Sequence, residues 1–273
     1  MIKKSIFTVI IPVKGRLNFT QEAINSIYKQ EYIENSSVEI IVVENEKGRE
    51  VIRDKIIKLY PRVKIVINKF EDYAGGNRNS GLKVAHGKYI VFLDSDDQLD
   101  SNFLYESSKI LDKDKKCSAS VCFSRAIFTP EYKLLERIKW FFLMIVRDVS
   151  LLFFFLFNHK YLLHSAFYLC QLSHMMFKKE LIKELSFDYQ YFRGGEDWDF
   201  INRLQNKGPI RIIPRLLTIF RYSYYSSTIL PINKRMKWNS YLKLANKLSP
   251  ARKRSIYYKL FLQYIDLFRV KTY

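Results

Sequence analysis

Three carboxylates follow a short apolar run within the first hundred residues of the chain. Residues 89–93 have the pattern of a strand buried on both faces, and Asp94, Asp96 and Asp97 come directly after it. Carboxylates crowded at the end of a buried strand repel each other and resist desolvation, which a divalent cation with its phosphate ligands would relieve. Asp is also favoured in a polar turn that caps the next helix. The segment therefore predicts either a metal site or a helix cap.

A second acidic pair, Glu196 and Asp197, lies far downstream in the sequence. It follows Gly194 and Gly195, and glycine lets a loop approach other groups closely or adopt a positive φ. A carboxylate at such a place can accept the proton of an attacking hydroxyl as a general base. Alternatively, the pair only charges the first turn of a helix that ends at Leu204, as acids commonly do.

An alternation of strands and helices would position these acids. Apolar strands are predicted at residues 6–13, 38–43, 63–67 and 89–93, and a glycine turn at residues 75–76 precedes a helix at residues 78–85. The alternation predicts an α/β fold with a Rossmann-like, mostly parallel sheet flanked by helices. Ligands of such sheets bind beyond the carboxyl ends of the strands. Pro12, Val13, Glu44 and Asp94 all lie there, so we expect them to converge on one nucleotide-binding crevice. Two further strands are predicted at residues 210–213 and 216–222.

The composition points to partners that carry negative charge. Of the 273 residues, 46 are Lys or Arg and 27 are Asp or Glu, which gives a formal net charge of +19. Nucleic acid, an anionic membrane surface and phosphorylated substrates all attract such a chain. The three cysteines have no CxxC spacing, so we expect reduced thiols in a cytoplasmic protein rather than a disulfide frame or a zinc site.

Several segments together resemble the family-two glycosyltransferases of the GT-A fold, of the bacterial surface-glycan type. TVIIPVKGR is similar to the family's first strand and loop, and EIIVVEN to its base-reading segment. GGNRNSGLKVAHGKYIVFLDSDD is similar to its RN-x-G helix and DxD motif, and FRGGEDWDF to its ED motif. Lys14 and Gly15 stand where the family usually has Tyr-Asn, and Glu44 and Asn45 stand where it usually has Asp-Asp.

The resemblance implies a role for each matching residue. Asp96 would bind a divalent cation, Mn²⁺ or Mg²⁺, that bridges the diphosphate of the donor, and Asp94 would lie near the donor ribose. Asp197, beside Glu196, would be the catalytic base of a transfer that inverts the anomeric centre. The other residues expected to bind the nucleotide sugar are Pro12, Val13, Glu44, Arg78, Ser95 and Arg221.

Two segments depart from what a compact family member would contain. Residues 134–163 are dense in Phe, Leu and Trp, which predicts either a hydrophobic helical hairpin packed on the catalytic domain or an in-plane membrane element; we favour the membrane. Residues 232–273 carry eleven Lys and Arg against Asp266 alone, a balance of +10, with apolar residues at helical spacing. We expect basic amphipathic helices on an anionic membrane surface, rather than a solvated helix that closes the domain.

These patterns predict three regions: a nucleotide-sugar-binding half at residues 1–100, an acceptor-binding half at residues 101–230 and C-terminal helices at residues 231–273. We expect an inverting transferase that uses a UDP-linked sugar and an acceptor hydroxyl on a lipid-linked or surface glycan. It would be peripheral at the inner face of the cell membrane. A polyprenyl-phosphate glycosyltransferase is the close alternative. A basic nucleic-acid-binding protein is the alternative from another class, but it does not explain acids gathered at strand ends.

Overall fold

Four parallel strands form one side of the sheet in the computed structural model. They lie in the order β3 (Lys64–Ile67), β2 (Val38–Glu44), β1 (Phe7–Pro12), β4 (Tyr89–Phe92). Every residue of β1 and β4 is buried, which explains why both strands are apolar on both faces. The structure describes residues 6–13, 16–45, 50–70, 73–131, 133–157, 161–162, 170–191, 195–222 and 242–248.

Three helices connect these strands, as the alternation predicts. They are α1 (Leu17–Tyr28), α2 (Glu50–Leu59) and α3 (Ala74–Val84). Helix α3 begins earlier than predicted, so Gly75 and Gly76 lie inside its first turn rather than in a preceding turn. Gly75 is needed there for packing, because a Cβ on it would lie 2.3 Å from the Tyr73 ring and 2.8 Å from the Cβ of Phe187. Gly75 therefore allows α3 to pack closely against Tyr73 and Phe187, and it does not form a turn.

The other side of the sheet is mixed. The strand order continues from β4 through β8 (Met175–Lys178), β6 (Ala119–Phe128) and β9 (Ile210–Tyr222) to β5 (Gln98–Leu99), and β7 (Tyr161–Leu162) also pairs with β9. Strand β9 is a single strand where the sequence predicts two. Its register against β6 shifts where Cys122 pairs with Ile213 and Phe123 with Leu216, so Pro214 falls in a bulge, where its missing N–H does no harm.

A hydrophobic core lies on each face of the sheet. Ile10 belongs to one core and Val9 and Ile11 to the other, because side chains alternate along a strand. The helices that complete these layers are α4 (Phe103–Lys113), α5 (Leu134–Leu156), α6 (Lys179–Ile182) and α7 (Glu196–Leu204). Trp198 and Phe200 of α7 belong to the same core as Ile10. The site acids of α7 therefore stand on a well-packed helix.

Most of the described part of the hydrophobic insertion forms one long helix. Within residues 133–157 the chain runs through α5 without the reversal that a helical hairpin requires, and the other described residues of the insertion, Tyr161–Leu162, form β7. None of the helices in the described ranges combines the length and the apolar character that a membrane span needs. Of the predicted C-terminal helices, residues 242–247 are helical, and the remainder of 231–273 except Leu248 lies outside the described residues.

Candidate active site

Arg78 joins the two acidic motifs. Its Nη2 donates to Asp94 Oδ1 at 2.7 Å and its Nη1 donates to Asp197 Oδ1 at 3.0 Å, although these acids are far apart in sequence. The Arg78 side chain is 3% exposed, whereas those of Asp94 and Asp197 are 40% and 35% exposed. Burial alone would lower the pKa of Arg78, but the charges of Asp197, Asp94 and Glu196 raise it above its ordinary value. The site thus places one buried cation among three carboxylates.

Helix α3 sets the position of this arginine. A Cβ on Gly81 would lie 2.4 Å from Ile10 Cγ2, so only glycine lets α3 sit this close to β1. Asn79 exchanges two hydrogen bonds with the backbone of Phe187, accepting at 2.8 Å and donating at 3.0 Å. Tyr73 Oη donates to the same Phe187 carbonyl at 2.8 Å. The RN-x-G segment therefore fixes the loop before α7 as well as the guanidinium.

The acidic segment after β4 is a tight turn. The Asp94 amide donates to Ser173 Oγ at 3.1 Å, and the Asp97 amide donates to the Asp94 carbonyl at 3.0 Å. Asp94, Ser95 and Asp96 are partly exposed, while Asp97 is 1% exposed. Burial, with the nearby charges of Asp96 and Asp94, raises the pKa of Asp97 well above its ordinary value. The turn therefore concentrates negative charge at the edge of the sheet.

Arg221, at the end of β9, supports this turn from behind. Its Nε donates to the Asp96 carbonyl at 3.0 Å and its backbone N–H donates to Asp97 Oδ1 at 3.0 Å. Its guanidinium also pairs with Glu22 of α1 and lies 4.3 Å from the centre of the Phe19 ring. These contacts hold the backbone of the acidic turn, and the expected contact of Arg221 with a diphosphate stays a prediction.

The ED motif begins α7. Gly195 precedes the helix with φ 98°, a left-handed conformation that favours glycine, so of the two possibilities that the sequence leaves open this residue shows the positive φ. Gly194 lies outside the described residues. Glu196 and Asp197 occupy the first turn, where the helix dipole stabilises negative charge. Asp197 is nevertheless more than a dipole partner, because it shares Arg78 with Asp94.

The remaining predicted donor residues lie at the ends of β1 and β2. Pro12 ends β1, and the Val13 amide donates to the Val43 carbonyl at 2.8 Å, which keeps the two strand ends side by side. Glu44 ends β2, is 1% exposed and pairs with Arg53 of α2. Glu44 is therefore paired with the Arg53 guanidinium in this structure, and the expected contact of Glu44 with a nucleobase stays a prediction.

A divalent cation fits the acidic turn only with help from a ligand. No three His, Cys, Asp or Glu side chains within the described ranges are grouped to hold a metal by themselves. Mg²⁺ and similar ions are commonly held by one or two carboxylates together with substrate phosphates. Asp96 is partly exposed and lies in the same turn as the partly exposed Asp94, so the turn offers the one or two carboxylates that this arrangement needs.

The structure brings the two acidic motifs and Arg78 together and adds residues that sequence reasoning missed. Ser173 holds the Asp94 amide, and no local pattern around it signals that contact. Asn79 could have been found, since it belongs to the RN-x-G segment beside Arg78. Glu22, the partner of Arg221, lies in an ordinary helix and carries no such signal.

The sheet order, the acidic turn and α7 together define a GT-A glycosyltransferase. The mannosyltransferase PcManGT from Pyrobaculum calidifontis, in complex with GDP-Man and Mn²⁺, superposes with a TM-score of 0.64 at 16% identity, over 95% of this chain and 70% of that chain. Staphylococcus aureus TarS 1–349 in complex with UDP-GlcNAc superposes with a TM-score of 0.63 at 16% identity, over 92% and 70%. At these identities the likeness shows the fold.

The chain belongs to glycosyltransferase family 2, whose sequence model matches residues 8–186. An uncharacterized glycosyltransferase from Rickettsia bellii is 33% identical over 141 residues, which are 51% of this chain and 19% of that protein. The GalNAc(5)-diNAcBac-PP-undecaprenol beta-1,3-glucosyltransferase of Campylobacter jejuni is 32% identical over 100 residues, 36% of this chain and 31% of that protein. The chain therefore spans less than a third of the length of both curated relatives.

Proposed function

We propose that this glycosyltransferase moves a sugar from a UDP-linked donor to a hydroxyl of a lipid-linked or surface glycan, with inversion at the anomeric carbon and Asp197 as the general base. It works as a peripheral protein on the inner face of the cell membrane, and nucleic acid is not among its partners. The observation that carries the proposal is the pairing of Arg78 with both Asp94 and Asp197. The name of the Campylobacter relative gives it a PP-undecaprenol-linked acceptor, and the Staphylococcus TarS structure is a complex with UDP-GlcNAc.

Each residue of the site has a part in the proposed reaction. Asp197 takes the proton of the acceptor hydroxyl, the acceptor oxygen bonds to the anomeric carbon, and the bond from that carbon to the diphosphate breaks. Arg78 holds the Asp197 carboxylate by Oδ1 and so fixes the base relative to the donor side of the cleft. Asp96 is the carboxylate that would hold Mn²⁺ or Mg²⁺, which when bound supplies Lewis-acid stabilisation of the leaving diphosphate.

The other residues shape the donor site. Asp94 lies near the ribose, held by Arg78 and by Ser173. Pro12, Val13 and Glu44, at the ends of β1 and β2, face the nucleoside, and Ser95 lies within the acidic turn between Asp94 and Asp96. Glu196 adds negative charge beside the base. Arg221 keeps the acidic turn in place through the Asp96 carbonyl and Asp97.

Replacing the base tests the proposal most directly. Asp197→Asn keeps the size and the hydrogen bond from Arg78 but cannot accept the proton, so turnover should fall by about 10²–10⁴-fold. The measurement is sugar transfer from UDP-sugars to membrane-extracted lipid-linked glycans, with product analysis. Asp96→Ala should likewise abolish transfer and should weaken the thermal stabilisation by UDP with Mn²⁺.

Asp199→Asn is the matched control, since Asp199 lies on the same helix but pairs with Arg203 instead of Arg78. It should retain most of the turnover. Near-normal transfer by the Asp197→Asn variant would remove that residue from the mechanism. A product in which the sugar is attached to polyprenyl phosphate, rather than to a glycan hydroxyl, would replace the proposed acceptor with the alternative one.

A further inference from the structure

Helix α5 has its apolar face on the outside of the protein. We call the residues Leu135, Ile138, Phe142, Val149, Phe153 and Leu156, which recur every three, four or seven positions, the outward stripe. Their exposed fractions range from 54% for Phe153 to 81% for Leu135. Residues with this spacing lie on one side of a helix. The outward stripe therefore forms a continuous apolar surface along the whole helix.

The inner face of α5 carries an ion pair beside buried apolar side chains such as Leu151. Arg147 and Asp148 are 11% and 18% exposed and pair at 2.6 Å. Arg147 also donates to Ser124 Oγ at 2.7 Å and lies 3.3 Å from His174 Nδ1. A surface helix in water normally turns its apolar stripe toward the core and its charges toward solvent. Because α5 encloses an ion pair and leaves the outward stripe exposed, its outer face is poorly suited to water and calls for an apolar cover.

We propose that the outward stripe inserts into the interface of an anionic lipid bilayer, with α5 lying in the membrane plane. This rests on the proposed function, in which the acceptor is attached to lipid. The net charge of +19, and the +10 within residues 232–273, complement anionic headgroups. The inward Arg147–Asp148 pair is held by the protein, so only one face of α5 meets lipid.

The inner face of α5 connects the bilayer to the active site. Arg147 contacts His174, whose neighbour Ser173 holds the amide of Asp94. Trp140 packs against Tyr222 with ring centres 5.2 Å apart, and the preceding Arg221 holds the acidic turn. An α5 docked on the membrane would therefore hold the acidic turn at a fixed height above the headgroups, where a lipid-linked acceptor arrives.

Vesicle sedimentation of the full chain tests the surface. The vesicles are phosphatidylcholine with an equal amount of phosphatidylglycerol, at low and at high salt. The triple variant Phe142→Asn/Val149→Asn/Phe153→Asn changes exposed side chains only. At high salt, where attraction between charges is screened, it should partition at least about 10-fold less than the wild type. The control Ile57→Asn/Leu59→Asn/Leu216→Asn changes residues that are 47–53% exposed elsewhere and should partition like the wild type.

A fluorophore gives an independent readout. The native thiols of Cys117, Cys122 and Cys170 are buried, so an environment-sensitive probe attached to Leu135→Cys reports on the stripe alone. Its emission should shift to the blue on vesicles, while a probe at Leu59→Cys should not shift.

Three results would overturn the inference: no sedimentation of the wild type, equal sedimentation of the two triple variants, or a wild-type dimer that the stripe variant dissociates without any loss of vesicle binding. The last result would mean that a second copy covers the stripe. Binding requires no turnover, so Asp197→Asn should sediment like the wild type. A chain that binds vesicles but transfers no sugar would count against the proposed function alone.

Discussion

Arg78 and Arg147 are both enclosed by the protein, but they obtain their carboxylates in different ways. Arg78 pairs with Asp94 of the turn after β4 and with Asp197 of α7, whereas Arg147 pairs with Asp148, the next residue along α5. A pair between distant segments fixes those segments relative to each other. A pair between neighbours only allows a helix to turn two charges inward. Arg78 therefore holds together the two acidic segments of the candidate active site, whereas Arg147 holds α5 against the protein.

The balance between burial and charge pairing also differs between the sites of Arg78 and Arg147. Asp197, Asp94 and Glu196 together raise the pKa of Arg78 in spite of its burial, so the cleft holds more negative than positive charge. Burial raises the pKa of Asp148 even though Arg147 lowers it, so desolvation outweighs pairing at α5. A surplus of carboxylates suits a site that must take up a cation or a proton. A balanced pair that is costly to bury suits a structural contact.

Removing Arg147 should cause the largest loss of stability. Arg147→Met leaves Asp148 enclosed without its partner, and breaking a buried pair by deleting one member costs about 3–5 kcal/mol. We expect a loss near the lower end, about 3 kcal/mol, because Asp148 keeps 18% of its surface exposed. Urea denaturation at neutral pH measures the free energy of unfolding.

The matched control is Arg147→Met/Asp148→Leu. Replacing both members of a buried pair with apolar residues is often neutral, so the double variant should recover most of the stability that the single variant loses. If the double variant were as unstable as Arg147→Met, the contacts of Arg147 with Ser124 and His174 would matter more than its pairing with Asp148.

Removing Arg78 should affect turnover more than stability. Arg78→Lys keeps the charge but loses the fork that holds Asp94 and Asp197 together, and a base displaced by about 1 Å can lose about 10²-fold in rate. The two carboxylates are more than a third exposed, so water can solvate them and the loss of stability should be small. Initial rates and urea denaturation of the same preparation separate the two effects. A variant that unfolds readily yet keeps its rate would reverse the roles assigned to the two arginines.

The donor side of the fold was predictable from the sequence, because burial on both faces leaves a plain apolar pattern in β1, β2 and β4. The family resemblance implied roles for Asp94, Arg78 and Asp197 in one site, but the bridge that Arg78 makes between the two acids is a tertiary contact that local periodicity does not contain. The sequence predicted two strands in place of β9 because Pro214 interrupts the apolar pattern. The bulge that accommodates this proline depends on the pairing with β6, which the sequence of β9 alone does not reveal.

The part around α5 was less predictable for a physical reason. Its composition is apolar on nearly every side, so periodicity cannot tell which face packs on the protein. The contacts of Arg147 with Ser124 and His174 and the burial of Leu151 show which face packs on the protein. The link from Ser173 to Asp94 is likewise a tertiary contact, and a serine between Leu172 and His174 gives no sign of it.

His174 allows a smaller test of the contact between α5 and the cleft. Burial and the neighbouring Arg147 lower its pKa well below the ordinary value of 6.5. The unfolded chain therefore binds a proton near this pH while the folded chain does not, so the free energy of unfolding should fall as the pH drops below 6.5. The slope reaches at most about 1.4 kcal/mol per pH unit and ends at the folded pKa.

His174→Gln should flatten this dependence, because glutamine does not titrate and can still accept a hydrogen bond from Arg147. The difference between wild type and variant, measured by urea denaturation between about pH 7 and about pH 5, isolates the histidine from other titrating groups. Equal slopes for the two proteins would mean that His174 takes up its proton in the folded state as readily as in the unfolded state. The side chain would then be hydrated, and α5 would be packed less closely against the segment that holds Asp94.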